Sequence, residues 1–143
     1  MRMREIDVTN IDALIERAVE FHGHLGPYLI CGVRMGLLAL RLLGSRGYTG
    51  LTVTVETGVT PPVSCLIDGL QIATGCTLGK GNISVLGGGR PRALVRSKDQ
   101  SVVVELRPEW PEKFAQMDGA VAAQTILRIP EEELLTWRLL PSS

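Results

Sequence analysis

Four side chains in this chain, two histidines and two cysteines, have the types and spacing of metal ligands. His22 and His24 are its only histidines, and they stand two residues apart in a connector that glycines flank. Neutral imidazole and thiolate are donors that zinc and other borderline-soft divalent ions prefer. With fewer than four protein ligands, a coordination position stays open for water or substrate. The sequence therefore predicts a divalent metal site, with zinc as the expected ion and His22, His24, Cys65 and Cys76 as candidate ligands.

A structural role is the alternative for each of these residues. The imidazole nitrogens could instead bond backbone groups at a corner between two helices. Cys76 could be a buried thiol just beyond a helix end. The third cysteine, Cys31, lies inside a long apolar stretch and is expected in the core, because free cysteine packs as a small apolar residue. Both interpretations of the histidine pair stay open at this point.

A helix predicted from Pro61 to Thr74 carries Cys65 and Asp68. Its apolar residues form one stripe, and Cys65 and Asp68 fall on the opposite side. Cys65 lies in the opening turns, where free backbone N–H groups stabilise a thiolate. We therefore expect Cys65 to be the most reactive of the three thiols. Asp68 is expected to face the same ligand.

The loop from Gly75 to Gly81 places Lys80 between two glycines. The loop is not a phosphate-binding P-loop, because it has one residue too few before Gly79 and Lys80, and a strand is predicted to follow it. Lys80 could still present its charge to a small anion, and the alternative is a solvated turn lysine. Asp68 and Lys80 are thus the candidate ligand-binding residues. No catalytic residue is assigned.

The longest apolar stretch, Leu25–Leu43, is predicted to be the central helix of the domain. Proline after Gly26 favours a helix start, and Gly44 favours a helix end. Two arginines, Arg34 and Arg41, interrupt the stretch, whereas a membrane span needs about 20 mostly apolar residues. We expect a buried helix with one wettable edge at these arginines, and no membrane association.

The other predicted elements complete an α+β fold. Apolar periodicity indicates a helix that opens at Asn10. Alternating residues indicate a strand at 51–56 and a hairpin that turns at 98–100. Helices are predicted from Pro111 to Leu127 and from Glu131 to Leu139. The expected architecture is a mostly antiparallel sheet packed against a long buried apolar helix and further helices.

Length and composition indicate one domain over residues 1–143. The chain is 45% hydrophobic and 21% charged, and its formal net charge is +0. Nucleic acid is not an expected partner, because the whole-molecule positive charge that drives non-specific binding is missing. The three cysteines form no CxxC pair, and the N-terminus MRMREIDVTN has no apolar signal core. We therefore expect a cytoplasmic protein.

Two blocks of the sequence resemble the FmdE family of formylmethanofuran dehydrogenase proteins. The blocks are FHGHLGPYLICGVRMGLLAL, Phe21–Leu40, and CLIDGLQIATGCTLGKGN, Cys65–Asn82. Their order and separation both fit the family. The resemblance implies a homodimeric α+β core with a metal site formed by His22 or His24 and by Cys65, with Cys76 nearby.

The chain also departs from the family pattern in two ways. Many members have cysteine where Gly26 stands, and many carry a cysteine-rich zinc module after the core. The resemblance therefore implies a core-only member with a reduced set of thiols.

The expected function is a cytoplasmic metal-binding protein whose His/Cys-lined cleft takes a divalent metal and a small ligand. The resemblance implies a link to formylmethanofuran dehydrogenase, and so to molybdenum-dependent one-carbon metabolism and methanogenesis. Two alternatives stay open. One is a non-catalytic accessory or assembly protein for an oxidoreductase complex. The other is a homodimeric protein with a purely structural role.

Overall fold

The computed structural model describes residues 4–141 and confirms the α+β class. The described chain contains six helices and one five-stranded sheet. The helices are α1 (Ile11–His22), α2 (Pro27–Leu43), α3 (Leu66–Thr74), α4 (Glu109–Ala115), α5 (Gly119–Ile126) and α6 (Glu131–Leu134). The strands are β1 (Thr52–Val55), β2 (Ile83–Val85), β3 (Arg92–Arg96), β4 (Gln100–Leu106) and β5 (Leu135–Pro141).

The sheet has the order β2-β1-β3-β4-β5 and is mostly antiparallel, as predicted. Only the β1–β2 pair is parallel among the described strands. The predicted hairpin is the β3–β4 pair, and the Ser97 N–H closes its turn by donating to the Gln100 carbonyl at 2.8 Å. The sheet packs one face against α2, which forms the centre of the core.

The central helix α2 is confirmed, with its start at Pro27 and its left-handed end at Gly44. Every residue from Tyr28 to Leu40 is buried, including Arg34. The expectation that Arg34 sits on a wettable edge is therefore wrong, because its guanidinium donates to the Ile126 carbonyl at 3.0 Å and ties α5 to α2. Within the described residues, no helix is both long enough and apolar enough to span a lipid bilayer.

Helices α2 and α3 cross at two glycines, and a larger residue at either position would force the helices to move apart. A Cβ atom at Gly32 would collide with the carbonyl of Leu66, and one at Gly69 would collide with the carbonyl of Leu29. Glycine thus lets the two backbones touch, which is the closest approach that helices can make. This crossing brings the start of α3 beside the connector that precedes α2.

The region 109–126 differs from the single helix predicted from Pro111 to Leu127. It contains two helices, α4 and α5, separated at 116–118. The Asp118 side chain accepts a hydrogen bond from the Ala120 N–H at 2.9 Å, so it caps a new helix rather than continuing the old one.

The helix predicted from Glu131 to Leu139 is also wrong beyond its first turn. Helix α6 ends at Leu134, and the following seven residues form β5 along the whole of β4, from Leu106 opposite Leu135 to Gln100 opposite Pro141. Apolar residues at 134, 135, 139 and 140 suit a helix by themselves. Pairing with the open edge of β4 gives these residues a complete ladder of hydrogen bonds, and this favours the strand conformation over the helix.

Candidate functional site

A pocket of about 370 Å³ lies where the histidine connector meets the starts of α2 and α3. His22, His24 and Cys65 form its polar part. Its walls are otherwise apolar, apart from the Tyr28 hydroxyl group, and come from α2, α4, the start of α5 and the segment before α3. The remaining lining residues are Gly26, Pro27, Tyr28, Leu29, Pro62, Pro111, Phe114, Ala115 and Gly119.

His22 ends α1 and is held by Asp68 in the first turn of α3. Its Nδ1 lies 2.6 Å from Asp68 Oδ2, across 46 positions of sequence. A carboxylate only accepts, so Nδ1 carries a proton and donates it to Asp68. The side chain of His22 is 11% exposed and that of Asp68 is 34% exposed, so the pair lies partly beneath the surface. This contact leaves Nε2, on the other side of the ring, as the nitrogen that Asp68 does not bond.

The Nε2 atom of His22 is buried and has no hydrogen-bond partner among the described residues. A buried polar atom without a partner is uncommon in folded proteins, because it has lost its water without replacement. A ligand bound in the pocket would satisfy it.

His24 stacks loosely beside His22 and completes the imidazole pair. The ring centroids are 4.7 Å apart and the ring planes are inclined at 36°. His24 is exposed. A Cβ atom built on Gly26 would lie 3.6 Å from His24 Nε2, and the extended backbone of Gly26 admits any side chain. Gly26 therefore leaves open a position directly beside the His24 donor atom.

Cys65 lines the pocket, but its environment differs from the predicted one. The helix does not begin at Pro61: a 3-10 turn spans Val63–Cys65, and α3 starts at Leu66. Burial, and then the charge of Asp68, raise the pKa of the Cys65 thiol above its ordinary value. The expected low-pKa thiolate is therefore wrong, because desolvation and a neighbouring carboxylate outweigh the backbone N–H groups.

Cys76 lies away from this pocket. It follows the C-terminal end of α3, whereas Cys65 precedes the N-terminal end, and a nine-residue helix is about 14 Å long. Cys76 is fully buried, and its Sγ lies 3.9 Å from the Leu51 carbonyl oxygen. The expectation that Cys76 joins the histidines is corrected on this geometry.

Lys80 is likewise placed elsewhere. Its Nζ donates to the Tyr48 carbonyl at 3.0 Å and to the Gly75 carbonyl, and it lies 5.3 Å from the centre of the Tyr48 ring. The lysine thus fastens the loop after α3 to the loop before β1. Of the six predicted site residues, the structure brings together His22, His24, Cys65 and Asp68.

The donors at the pocket fit a divalent ion in type but do not form a complete cage. In residues 4–141, no three His, Cys, Asp or Glu side chains stand close enough together to hold a metal ion as placed. The available donors are His22 Nε2, the His24 ring and the Cys65 thiol. A histidine whose second nitrogen is fixed by a carboxylate is the usual form of a metal-binding imidazole. The residues thus fit a divalent ion in the chemistry of their donor atoms, although their positions do not form a coordination shell.

Two features of the site were not predicted from the sequence. One is the apolar wall, where the Tyr28 and Phe114 rings meet edge to face with centroids 5.3 Å apart. The other is the pairing of His22 with Asp68. Asp68 is the only charged residue of α3, which was the available signal.

Comparison with known proteins gives one family match. The model of the FmdE family, described as "FmdE, Molybdenum formylmethanofuran dehydrogenase operon", matches residues 21–136. This range includes the whole pocket, the strands β1 to β4 and the first two residues of β5.

A curated relative and a solved structure illustrate what the chain is similar to. The relative is a "Probable S-adenosyl-L-methionine-binding protein" of Archaeoglobus fulgidus, 38% identical over 93 residues, which are 64% of this chain and 25% of the relative. The chain thus matches only a quarter of that protein's length. The structure is that of a "tungsten formylmethanofuran dehydrogenase subunit e (fmde)-like protein" from Syntrophus aciditrophicus, with a TM-score of 0.71 and 23% identity, over 99% of this chain and 78% of that one. At this identity the structural match supports the fold.

Proposed function

The chain belongs to the FmdE family, and from that premise we propose that it binds a divalent metal ion, zinc, together with a small ligand in the pocket described above. Family membership supports a role related to formylmethanofuran dehydrogenase.

One observation carries the metal proposal: the fixed imidazole of His22. Asp68 holds Nδ1 at 2.6 Å, while the opposite nitrogen, Nε2, is buried without a partner among the described residues. A structural histidine would bond through both nitrogens, or would leave its free nitrogen in water. The His22 imidazole is therefore oriented, and its unpartnered nitrogen lies in a pocket that a second imidazole and a thiol also line. This arrangement is typical of a metal-binding histidine.

His24 and Cys65 are the proposed further ligands. Only the thiolate form of cysteine binds metal, so the raised pKa of Cys65 makes metal uptake release a proton and strengthen as pH rises. An ion held by three side chains keeps an open position, where it supplies Lewis-acid chemistry to a bound water or ligand. The apolar walls around Tyr28 and Phe114 suit the carbon part of a small ligand.

An accessory role is the second proposal, favoured by the exposure of His24. A site with an exposed ligand and no closed cage can release its ion, as a protein that delivers metal to an oxidoreductase complex must do. We include in the proposal that the protein acts as a homodimer and associates with such a complex.

Zinc titration against a chromogenic chelator tests the proposal. The wild-type protein is expected to bind about one zinc ion per chain, and the double variant His22→Ala, Cys65→Ser is expected to lose the strong site. Cys76→Ala is the matched control, because that thiol lies beyond the far end of α3 and its loss should leave zinc affinity unchanged. Equal uptake by the wild type and the double variant would refute a metal site here.

A further inference from the structure

The last strand, β5, is a long and open edge of the sheet. It has seven residues and pairs with β4, and no other described strand lies on its outer side. The opposite edge, β2, has three residues. An open edge presents unpaired N–H and C=O groups, and natural proteins usually shorten, charge or cover such an edge. The length of β5 therefore favours pairing with a partner strand.

The hydrogen-bond pattern shows which residues of β5 face outward. The Arg107 N–H donates to the Leu134 carbonyl, while the Leu106 N–H donates to Pro91 on the β3 side. Bonding direction alternates along a strand, so Thr136 and Arg138 bond toward β4. Trp137 and Leu139 lie between these positions, and their backbone N–H and C=O groups point away from the sheet.

The side chains of the same two residues are apolar and exposed. Trp137 is 37% exposed and Leu139 is 42% exposed. They stand opposite Val104 and Val102 of β4, both fully buried, and so lie on the face of the sheet that carries the core. Helix α2 packs against β4 on that face, and the apolar surface continues past it onto β5.

We propose that the outer edge of β5 pairs, antiparallel and about Trp137, with the same strand of a second copy of this chain. The pairing joins two five-stranded sheets into one continuous sheet of ten. This pairing is the contact surface of the homodimer that the proposed function includes. It rests on the homodimer part of that function and does not depend on metal binding.

A second copy fits this edge because the strand is complementary to itself when it pairs about Trp137. Antiparallel pairing about Trp137 sets its ring beside the partner's Trp137, Leu139 opposite the partner's Leu135, and Arg138 opposite the partner's Thr136. A register about Arg138 would place two guanidinium groups opposite each other, which is unfavourable. A register about Leu139 would set Trp137 opposite Pro141, which has no N–H to donate.

Light scattering on the full chain tests the surface. The wild type is expected at twice the chain mass of 15.5 kDa, and the variant Trp137→Lys, Leu139→Lys at one chain mass. The matched control is Phe21→Lys, Leu78→Lys, which makes the same kind of change at an aromatic and a leucine that are 56% and 80% exposed elsewhere. A variant at 137 and 139 that stays dimeric, or a control that dissociates, overturns the proposal.

Two outcomes separate this proposal from the function. A monomeric wild type overturns the edge and the homodimer together, while zinc binding is measured separately. No residue of β5 lines the pocket, so the lysine variant should keep wild-type zinc affinity.

Disulfide formation tests the register without lysine substitutions. Paired residues of antiparallel strands have Cα atoms about 5.5 Å apart, within disulfide range, so Trp137→Cys should link two chains on mild oxidation. Leu139→Cys should not, because its two copies would be displaced by four residues, about 13 Å. Linking through position 139 rather than 137, or through neither, overturns the register.

Discussion

Replacing Asp68 with asparagine removes the charge that fixes His22 and changes little else in shape. The bond to His22 Nδ1 is 2.6 Å long, a charge-assisted contact. Loss of such a carboxylate behind a metal-binding histidine weakens metal affinity by about 10- to 100-fold. Asp68 is 34% exposed, so solvent already screens part of its charge. We expect the lower end, about tenfold, or about 1.4 kcal/mol.

A second effect of the same substitution acts in the opposite direction. The charge of Asp68 helps to raise the pKa of Cys65, so its removal makes the thiolate easier to form. Burial is the larger cause of that raised pKa and remains in the variant. The loss of imidazole orientation should therefore dominate, and zinc affinity should fall. In the metal-free variant, alkylation of Cys65 should begin at lower pH than in the wild type.

The assay is zinc competition at constant pH, with Asp12→Asn as the matched control. Asp12 forms an ion pair of the same 2.6 Å length with Arg128, at the other end of α1 from His22. The control should bind zinc as the wild type does. If Asp68→Asn binds zinc unchanged while His22→Ala loses it, Asp68 does not orient the ligand. An unmoved alkylation profile would show that its charge does not reach the thiol.

Three further predictions concern the pocket and the helix crossing. Gly26→Cys should tighten zinc binding at least tenfold in chelator competition, because it adds a thiol beside His24, and Gly26→Ala should not. In the metal-free protein, Cys65 should be alkylated faster than the two buried cysteines. Because its pKa is raised, this reaction should become fast only at a pH above the ordinary thiol range. Mass-spectrometric mapping over a pH series measures the order, and bound zinc should protect Cys65 from alkylation. Gly32→Ala should destabilise the fold by about 1–3 kcal/mol or more in thermal unfolding, whereas Gly79→Ala, which faces open space, should leave Tm nearly unchanged.

The sequence by itself predicted those helices and strands that begin and end at residues with a strong local conformational preference. The start of α2 follows from proline at its first position, and its end follows from Gly44 in the left-handed conformation. The β3–β4 hairpin follows from alternation on both sides of a short polar turn. The histidine pair marked the pocket because both rings and the start of α2 lie within a few residues of one another.

Other elements depended on partners far away in the sequence. Residues 135–139 have apolar spacing that a helix accepts, and they form a strand because β4 has an open edge beside them. The helix that begins at 109 does not continue to Leu127, because the Asp118 side chain accepts a hydrogen bond from the Ala120 N–H and begins a new helix. In each case the apolar spacing is compatible with more than one conformation, and hydrogen bonds that this spacing does not reveal favour the observed one.

The chemistry of the site divides in the same way. Residue types alone determined that His22, His24 and Cys65 could be ligands, since imidazole and thiol are metal donors in any fold. Only the tertiary structure paired His22 with Asp68 across 46 positions and placed Cys76 beyond the far end of α3. Spacing along a chain does not report distance once a helix lies between two residues, because the packing of that helix decides which end meets the site. The close contact of α2 and α3 at Gly32 and Gly69 made that decision here.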